Sequence, residues 1–383
     1  MKILADQNIP CVADAFRDLG EVTLMPGREI KREHLTDCQC LIIRTVTRVD
    51  ATLLDDTPVE FVGTATIGTD HIDLDYLAKS NIGCSNAADC NAEAASEYVI
   101  SGLFALAQRK EFDPFKLKAG IVGFGNVGSR LHQKLDTLGI ECLVCDPPLQ
   151  EAGTSSQDFV DLDTILQECN FISLHVPLIH AGKHPTFHLL NAERLQHISD
   201  GCLLVNAARG EVVDNQALLN VLKQRDDLRV FIDTWENEPN LLRELLQRVN
   251  LATPHIAGYS VEGRLRGTQM VLDAACKHFR LSSSWHMSQQ FPPDQNLVLH
   301  ASDATTTAWY DLFNQNADIW RDHEAFTAGS NFDDATFARH FDALRRVYPD
   351  RLEYERFIVQ HQDTGIPADV LLQLGFRTGT CAG

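Results

Sequence analysis

Three ionisable residues stand out by type and position: Arg209 in "LLVNAARGEVVD", Glu238 in "DTWENEP" and His255 in "NLATPH". Each lies at or just beyond an apolar run that reads as a strand. The ends of parallel strands are where open α/β sheets bind their ligands. An arginine closing a buried strand is costly unless an anion or a fixed acceptor meets it. Taken singly, each has a structural explanation: a loop arginine, a solvated glutamate, a hydrogen-bonded core histidine. Taken jointly, a cation, a carboxylate and an imidazole at strand ends make a set from which a reaction site can be built.

A second constellation lies upstream. Gly123, Gly125 and Gly128, with Asn126 and Val127 between the last two, form G-x-G-x-x-G after the strand "AGIV" and before the helical pattern "NVGSRLHQKLDTL". In that context the glycines allow a tight turn and let a pyrophosphate approach the helix N-terminus, where its charge is favoured. The next strand ends in Asp146, placed to accept hydrogen bonds from an adenosine ribose. A 2′-phosphate would be repelled there, so NAD is expected rather than NADP. The alternative for Asp146, before Pro147 and Pro148, is a helix cap or turn residue.

These residues require a scaffold of alternating strands and helices. "KILAD", "EVTLM", "CLIIRT", "VEFVGTAT" and "GCSNA" read as strands, with helical periodicity in "CVADAFRDLG" and "IDLDYLAKS" between them. After the helix-like "NAEAASEYVISGLFALAQRK", six more strands begin at "AGIVGFGNVG" and end at "NLATPH", the number of a dinucleotide-binding sheet. The expected fold is α/β, with two doubly wound parallel sheets. The helical stretch "SVEGRLRGTQMVLDAACKHF" then returns the chain to the first domain. That domain takes residues 1–97 and 258–287, and residues 98–257 form the Rossmann domain. Beyond the linker-like "SQQFPPDQ", residues 288–383 read as an α+β module, with two helical stretches between the strands "NLVLH" and "RFIVQH". It suits assembly better than chemistry.

Composition narrows the function classes. With 33 Lys and Arg against 53 Asp and Glu, the net charge is −20, which repels nucleic acid and anionic membranes. No apolar run is long enough to span a bilayer, and "MKILADQNIP" is no signal peptide. The 11 cysteines, odd in number, read as reduced thiols of a cytoplasmic protein. Cys142 and Cys145 form C-x-x-C inside a strand, where positions three apart face opposite sides, so a redox pair is not expected. Pro185 breaks the spacing of His180, His184 and His188, which read as loop residues, and no metal site is expected.

The chain also resembles a known family. "GIVGFGNVG", "NAARGEVVD", "DTWENEP" and "PHIAGYS" are similar to the motifs of the D-isomer-specific 2-hydroxyacid dehydrogenases, over about residues 1–287. "MKILADQNIP", "GTATIGTDHID", "CNAEAASEYV", "CDPP" and "GYSVEGRLRGT" resemble a branch of it that acts on a small phosphorylated 2-hydroxy acid. The C-terminal segment, through "FDALRRVYPDRLE" and "LLQLGF", resembles that branch's dimerisation domain, implying a homodimer. "NAARGE" departs from the family pattern, which often has cysteine before the arginine and alanine after the glycine.

The resemblance implies that Arg209, Glu238 and His255 are catalytic. His255 takes the hydroxyl proton of a secondary alcohol, Glu238 orients the imidazole, and Arg209 grips the substrate carboxylate. It further implies that Asp233 sits by the nicotinamide and that Val176, Ala207, Ala208, Gly258 and Tyr259 line the cofactor. Thr45, Thr66 and Tyr259 match substrate positions. Arg44, ending the buried run "CLII", offers a fork for the phosphate; the alternative is pairing with a neighbouring carboxylate. Two rivals remain at this stage: a dehydrogenase of a phosphorylated three-carbon acid, and a non-catalytic NAD-sensing scaffold on the same fold.

Overall fold

The computed structural model describes all residues except 111, 292–296, 301–304, 361–365 and 380–383. The chain divides into two compact units, residues 1–91 with 260–293 and residues 92–259 with 294–383. Of the three crossings, two fall at the N-termini of the long helices Ala92–Lys110 and Val261–Phe279, so each helix belongs to one unit. The Ser260 hydroxyl starts the second helix by accepting the Gly263 N–H at 2.8 Å.

In the first unit, strands β1 (Lys2–Asp6), β2 (Glu21–Met25), β3 (Cys40–Ile43), β4 (Phe61–Thr64) and β5 (Gly83–Asn86) form one sheet in the order β2-β1-β3-β4-β5. Every pairing is parallel. This is the flavodoxin-like order, whose crossover connections place helices on both faces. Strands β3 and β4 are buried at every position, as a sheet covered on both sides requires.

The second unit is built on β6 (Lys118–Val122), β7 (Glu141–Cys145), β8 (Phe171–Leu174), β9 (Leu203–Asn206), β10 (Arg229–Ile232) and β11 (Leu251–Ala252). Their order is β11-β10-β9-β8-β6-β7, all parallel. The chain leaves β6 for β7 on one side and returns to β8 on the other. The topological switch point therefore lies at the carboxyl ends of β6 and β8, where open sheets bind ligands.

Residues 288–383 read from sequence as a body of their own; in the structure residues 294–383 group with this second unit and 288–293 with the first. A parallel sheet of β12 (Leu297–His300), β13 (Phe357–Gln360) and β14 (Arg377–Gly379) is accompanied by helices Thr306–Asn314, Ile319–Thr327 and Asp334–Arg346. Three helices stand where the sequence suggested two. Asp318 and Asp333 each accept the backbone N–H three residues on and so restart the helix.

The helix Ala92–Lys110 explains why this segment stays with the Rossmann sheet. It is buried on all sides from Ala94 to Ala107. Tyr98 meets Phe231 of β10, while Phe104 meets Trp309 and Phe313 of the C-terminal segment. A helix without a polar face needs cover all round, and the C-terminal segment supplies the half the sheet cannot. Within this interface the Tyr98 and Tyr348 hydroxyls both donate to Asp322 Oδ2 at 2.9 Å.

Candidate functional site

The nucleotide loop is set by close approaches that only glycine allows. Gly123 has φ 93°, and a Cβ on Gly128 would lie 2.0 Å from the Gly123 carbonyl oxygen. A Cβ on Gly125 would meet nothing within 4 Å, so this edge is open to a ligand. Asn126 and Val127 begin the 12-residue helix Asn126–Thr137, whose first N–H groups and dipole favour an anion. A dinucleotide pyrophosphate fits this arrangement of open backbone and helix terminus.

Asp146, just after β7, does both things the sequence allowed. Its Oδ1 accepts the Leu149 N–H at 3.0 Å as a helix cap, and its Oδ2 accepts the Phe124 N–H at 2.7 Å. The carboxylate thus ties the glycine loop to the end of β7. Each carboxylate oxygen has two acceptor sites, so capacity for ribose hydroxyls remains.

Past the switch point, Val176 follows β8 and packs against Gly123. Ala207 and Ala208 follow β9, Asp233 follows β10, and Gly258 and Tyr259 lie in the turns after β11. Because all six strands are parallel, these positions share one edge of one sheet with Arg209, Glu238 and His255. Sequence reasoning missed His175, between Leu174 and Val176. Its Nε2 lies 2.8 Å from Ser173 Oγ, its Nδ1 is buried without a hydrogen-bond partner among the described residues, and burial pushes its pKa down to about 3. The signal was a histidine ending the strand pattern "FISLH".

Arg209 leaves β9 in extended conformation, its Nη1 donating to the Ala208 carbonyl at 2.8 Å. Asn206 fixes this turn, accepting from Ala208 N–H at 3.2 Å and donating to the Arg209 carbonyl at 2.9 Å. Gly210 is required by what lies beneath it, since a Cβ there would sit 1.9 Å from the Trp235 carbonyl carbon. The ends of β9 and β10 are thereby pressed together, bringing the arginine turn against the segment that carries Glu238.

Asp233 is a structural clamp. It is 1% exposed; Oδ1 accepts from the Thr253 hydroxyl at 2.6 Å and Ile256 N–H at 2.8 Å, and Oδ2 accepts from Ala257 N–H at 3.0 Å. Its own carbonyl accepts the His255 N–H at 2.8 Å. His255 has φ 57°, a left-handed conformation that costs a non-glycine residue about 1–3 kcal/mol and persists only where neighbours impose it. The Asp233 bonds on both sides of His255 impose it.

Glu238 completes the arrangement. Oε1 accepts the Trp235 N–H at 2.7 Å, and Oε2 lies 2.8 Å from His255 Nδ1. Trp235 is itself anchored, 1% exposed, with Nε1 donating to the Thr253 carbonyl at 2.9 Å. Burial pushes the Glu238 carboxyl up, but His255, through charge and hydrogen bond, then Arg345 and the Trp235 N–H hold it net below its ordinary value. A carboxylate only accepts, so in the neutral imidazole Nδ1 carries the proton and Nε2 is bare. The side chains of His255 and Glu238 are 33% and 19% exposed, so the imidazole is reachable.

The first unit's candidates are placed within that unit. Arg44 Nε is 2.9 Å from Asp6 Oδ2, a carboxylate that is 0% exposed, so the carboxylate pairing weighed from sequence is present. Thr45 is exposed, and Thr66 Oγ1 lies 2.7 Å from Thr64 Oγ1. Cys142 and Cys145 both lie in β7, and burial raises their thiols to about 12 and about 11, far from thiolate chemistry at neutral pH. His188 is 2.8 Å from Glu236 and 3.8 Å from Asp214, a grouping of metal-ligand types that the loop reading did not foresee. His184 pairs with Glu151 at 3.1 Å. No helix among the described residues is long and apolar enough to cross a membrane.

Residues 91–257 match the family described as D-isomer specific 2-hydroxyacid dehydrogenase, NAD binding domain. Over nearly its whole length the chain is 43% identical to erythronate-4-phosphate dehydrogenase of Chromohalobacter salexigens, covering 98% of both chains. It is 44% identical to that of Stutzerimonas stutzeri, covering 98% of this chain and 99% of the relative. This chain belongs to the erythronate-4-phosphate dehydrogenases of the D-isomer specific 2-hydroxyacid dehydrogenase family. It is accordingly an NAD-dependent dehydrogenase with a Rossmann domain. Among solved structures, an NAD-bound 3-phosphoglycerate dehydrogenase of Entamoeba histolytica shares the fold at TM-score 0.62 and 23% identity, covering 73% of this chain and 95% of its own. D-lactate dehydrogenase of Aquifex aeolicus, in complex with NAD and lactic acid, does so at TM-score 0.59 and 22% identity, covering 73% and 96%.

The Glu238 geometry carries a pH signature. Its folded-state pKa lies below the ordinary value, so its ionised form adds stability above the unfolded carboxyl pKa near ~4.3 and loses it as pH falls through the lower folded value. Denaturant unfolding of wild type and Glu238→Gln should show a wild-type advantage at about pH 6 that shrinks on acidification through about pH 4. An advantage that grows on acidification would contradict the lowered pKa.

Proposed function

We propose that the protein oxidises 4-phospho-D-erythronate to (R)-3-hydroxy-2-oxo-4-phosphooxybutanoate in pyridoxal 5′-phosphate biosynthesis, as a cytoplasmic homodimer. The observation that carries the reading is the Glu238–His255 pair at the same sheet edge as Arg209 and the glycine loop. Erythronate-4-phosphate dehydrogenase is also the name of the full-length relatives.

In this reading the glycine loop and Asp146 would hold NAD, with Val176, Ala207, Ala208, Gly258 and Tyr259 lining it and Asp233 by the nicotinamide. Bound NAD supplies the acceptor for the hydride leaving C2. Arg209 directs its fork at the substrate carboxylate and polarises the C2 oxygen. His255 Nε2, left bare by the proton fixed on Nδ1, takes the hydroxyl proton. Glu238 stabilises the imidazolium that results, and in the reverse direction His255 returns the proton. Tyr259, Thr45 and Thr66 contact the substrate, and Arg44 offers to an anion what its pairing with Asp6 leaves free.

The rivals predict different chemistry. A 3-phosphoglycerate dehydrogenase would prefer the three-carbon acid, and an NAD-sensing scaffold would turn over neither. NADH absorbance should rise with NAD and 4-phosphoerythronate, and fall about 100- to 10,000-fold in rate in His255→Ala while NAD affinity is retained. A rate nearly unchanged in His255→Ala would remove the histidine from this role.

The homodimer reading assigns assembly to the C-terminal segment, supported by its resemblance to a dimerisation domain. A chain ending near Ser288 should run as a monomer or aggregate through exposed apolar surface in size-exclusion chromatography with light scattering. A well-behaved truncated dimer would place the interface elsewhere.

A further inference from the structure

The substrate class proposed above is anionic at both ends, and a chain of net charge −20 needs a local cation for each. Arg209 serves one end. The second unit brings another arginine to the same catalytic groups, from outside the family-matched residues 91–257. Arg345 lies in the last turn of the helix Asp334–Arg346. Its guanidinium carbon is 5.6 Å from the Tyr259 ring centroid and 5.6 Å from that of Phe341. It is within electrostatic reach of the Tyr259 hydroxyl and the Glu238 carboxylate. Its Nε is shielded from water and has no hydrogen-bond partner among the described residues.

That position is anchored. Tyr348, one turn on, sets its ring edge against Tyr259 at 6.1 Å between centroids. Arg351, 4% exposed, donates to the Ala257 carbonyl and, at 3.3 Å, to the Ala94 carbonyl. The C-terminal segment therefore grips the turn between His255 and Tyr259 from outside. A half-buried guanidinium whose Nε is shielded and unsatisfied is costly unless an acceptor arrives, and a phosphate dianion is the acceptor whose geometry a guanidinium fork matches.

We infer that Arg345 is a specificity-determining residue, contributed by the C-terminal segment, that binds the phosphate of the substrate beside Tyr259. The segment then serves chemistry as well as assembly. The inference rests on the proposed phosphorylated substrate.

Initial rates with NAD test it, using 4-phosphoerythronate and unphosphorylated erythronate on wild type, Arg345→Gln and Arg345→Lys. Wild-type turnover of 4-phosphoerythronate is the control, since its absence would defeat the functional reading itself. Given that turnover, Arg345→Gln should raise the KM for 4-phosphoerythronate about 10- to 100-fold and that for erythronate less than about 3-fold. Arg345→Lys should recover part of the loss, and NAD affinity and the unfolding midpoint of Arg345→Gln should stay near wild type. An equal loss on both substrates, a fall in kcat with a shifted pH profile and unchanged KM, or a collapse of NAD binding in both variants would each overturn the assignment.

Discussion

The proposed acid–base chemistry depends on one carboxylate with two obligations. Glu238 accepts the Trp235 N–H through one oxygen and faces His255 Nδ1 through the other, at 2.7 and 2.8 Å. The first contact fixes the carboxylate to a buried tryptophan; the second fixes the proton on the imidazole. Much of the surrounding architecture preserves that relation. Asp233 holds His255 in a left-handed conformation by bonds on both sides of it, and Gly210 lets the arginine turn close on Trp235. An orienting acid matters in acid–base catalysis because the wrong tautomer presents a donor where an acceptor is needed.

The same edge of the sheet serves the cofactor for a topological reason. Parallel strands place all their carboxyl ends together, and the reversal between β6 and β8 opens the crevice there. The Asp146 bonds to Phe124 and Leu149 show how economical the edge is, with one residue capping a helix and bracing the nucleotide loop. The C-terminal segment adds a second layer around the turn after β11, through Arg351, Tyr348 and Arg345. Its union with the Rossmann unit follows from the helix Ala92–Lys110, which has no polar face to leave uncovered.

Much of this was legible in the sequence. Buried parallel strands read as apolar runs bounded by glycine, proline and polar residues, and the residue after each run falls at the ligand edge whatever the loop does next. That rule found Arg209, Glu238, His255 and Asp146. It could not find the acceptance by Asp233 from the Ile256 and Ala257 N–H groups, because backbone N–H groups leave no mark on a sequence. Arg44 kept two readings because a strand-end arginine looks the same whether it meets Asp6 or a ligand. Arg345 was invisible for a different reason: its helix reads as an ordinary amphipathic surface helix, and only tertiary packing carries its last turn to Tyr259.

The central claim is that Glu238 dictates the tautomer of His255. Nitrogen NMR of the protein carrying isotope-labelled histidine, with His255 assigned by difference from His255→Gln, reads it directly. At a pH where the imidazole is neutral, the account predicts a protonated Nδ1 and a bare Nε2 in wild type, and a mixture of tautomers in Glu238→Ala. A wild-type His255 protonated on Nε2 would contradict it, since the nitrogen proposed to take the substrate's proton would already carry one.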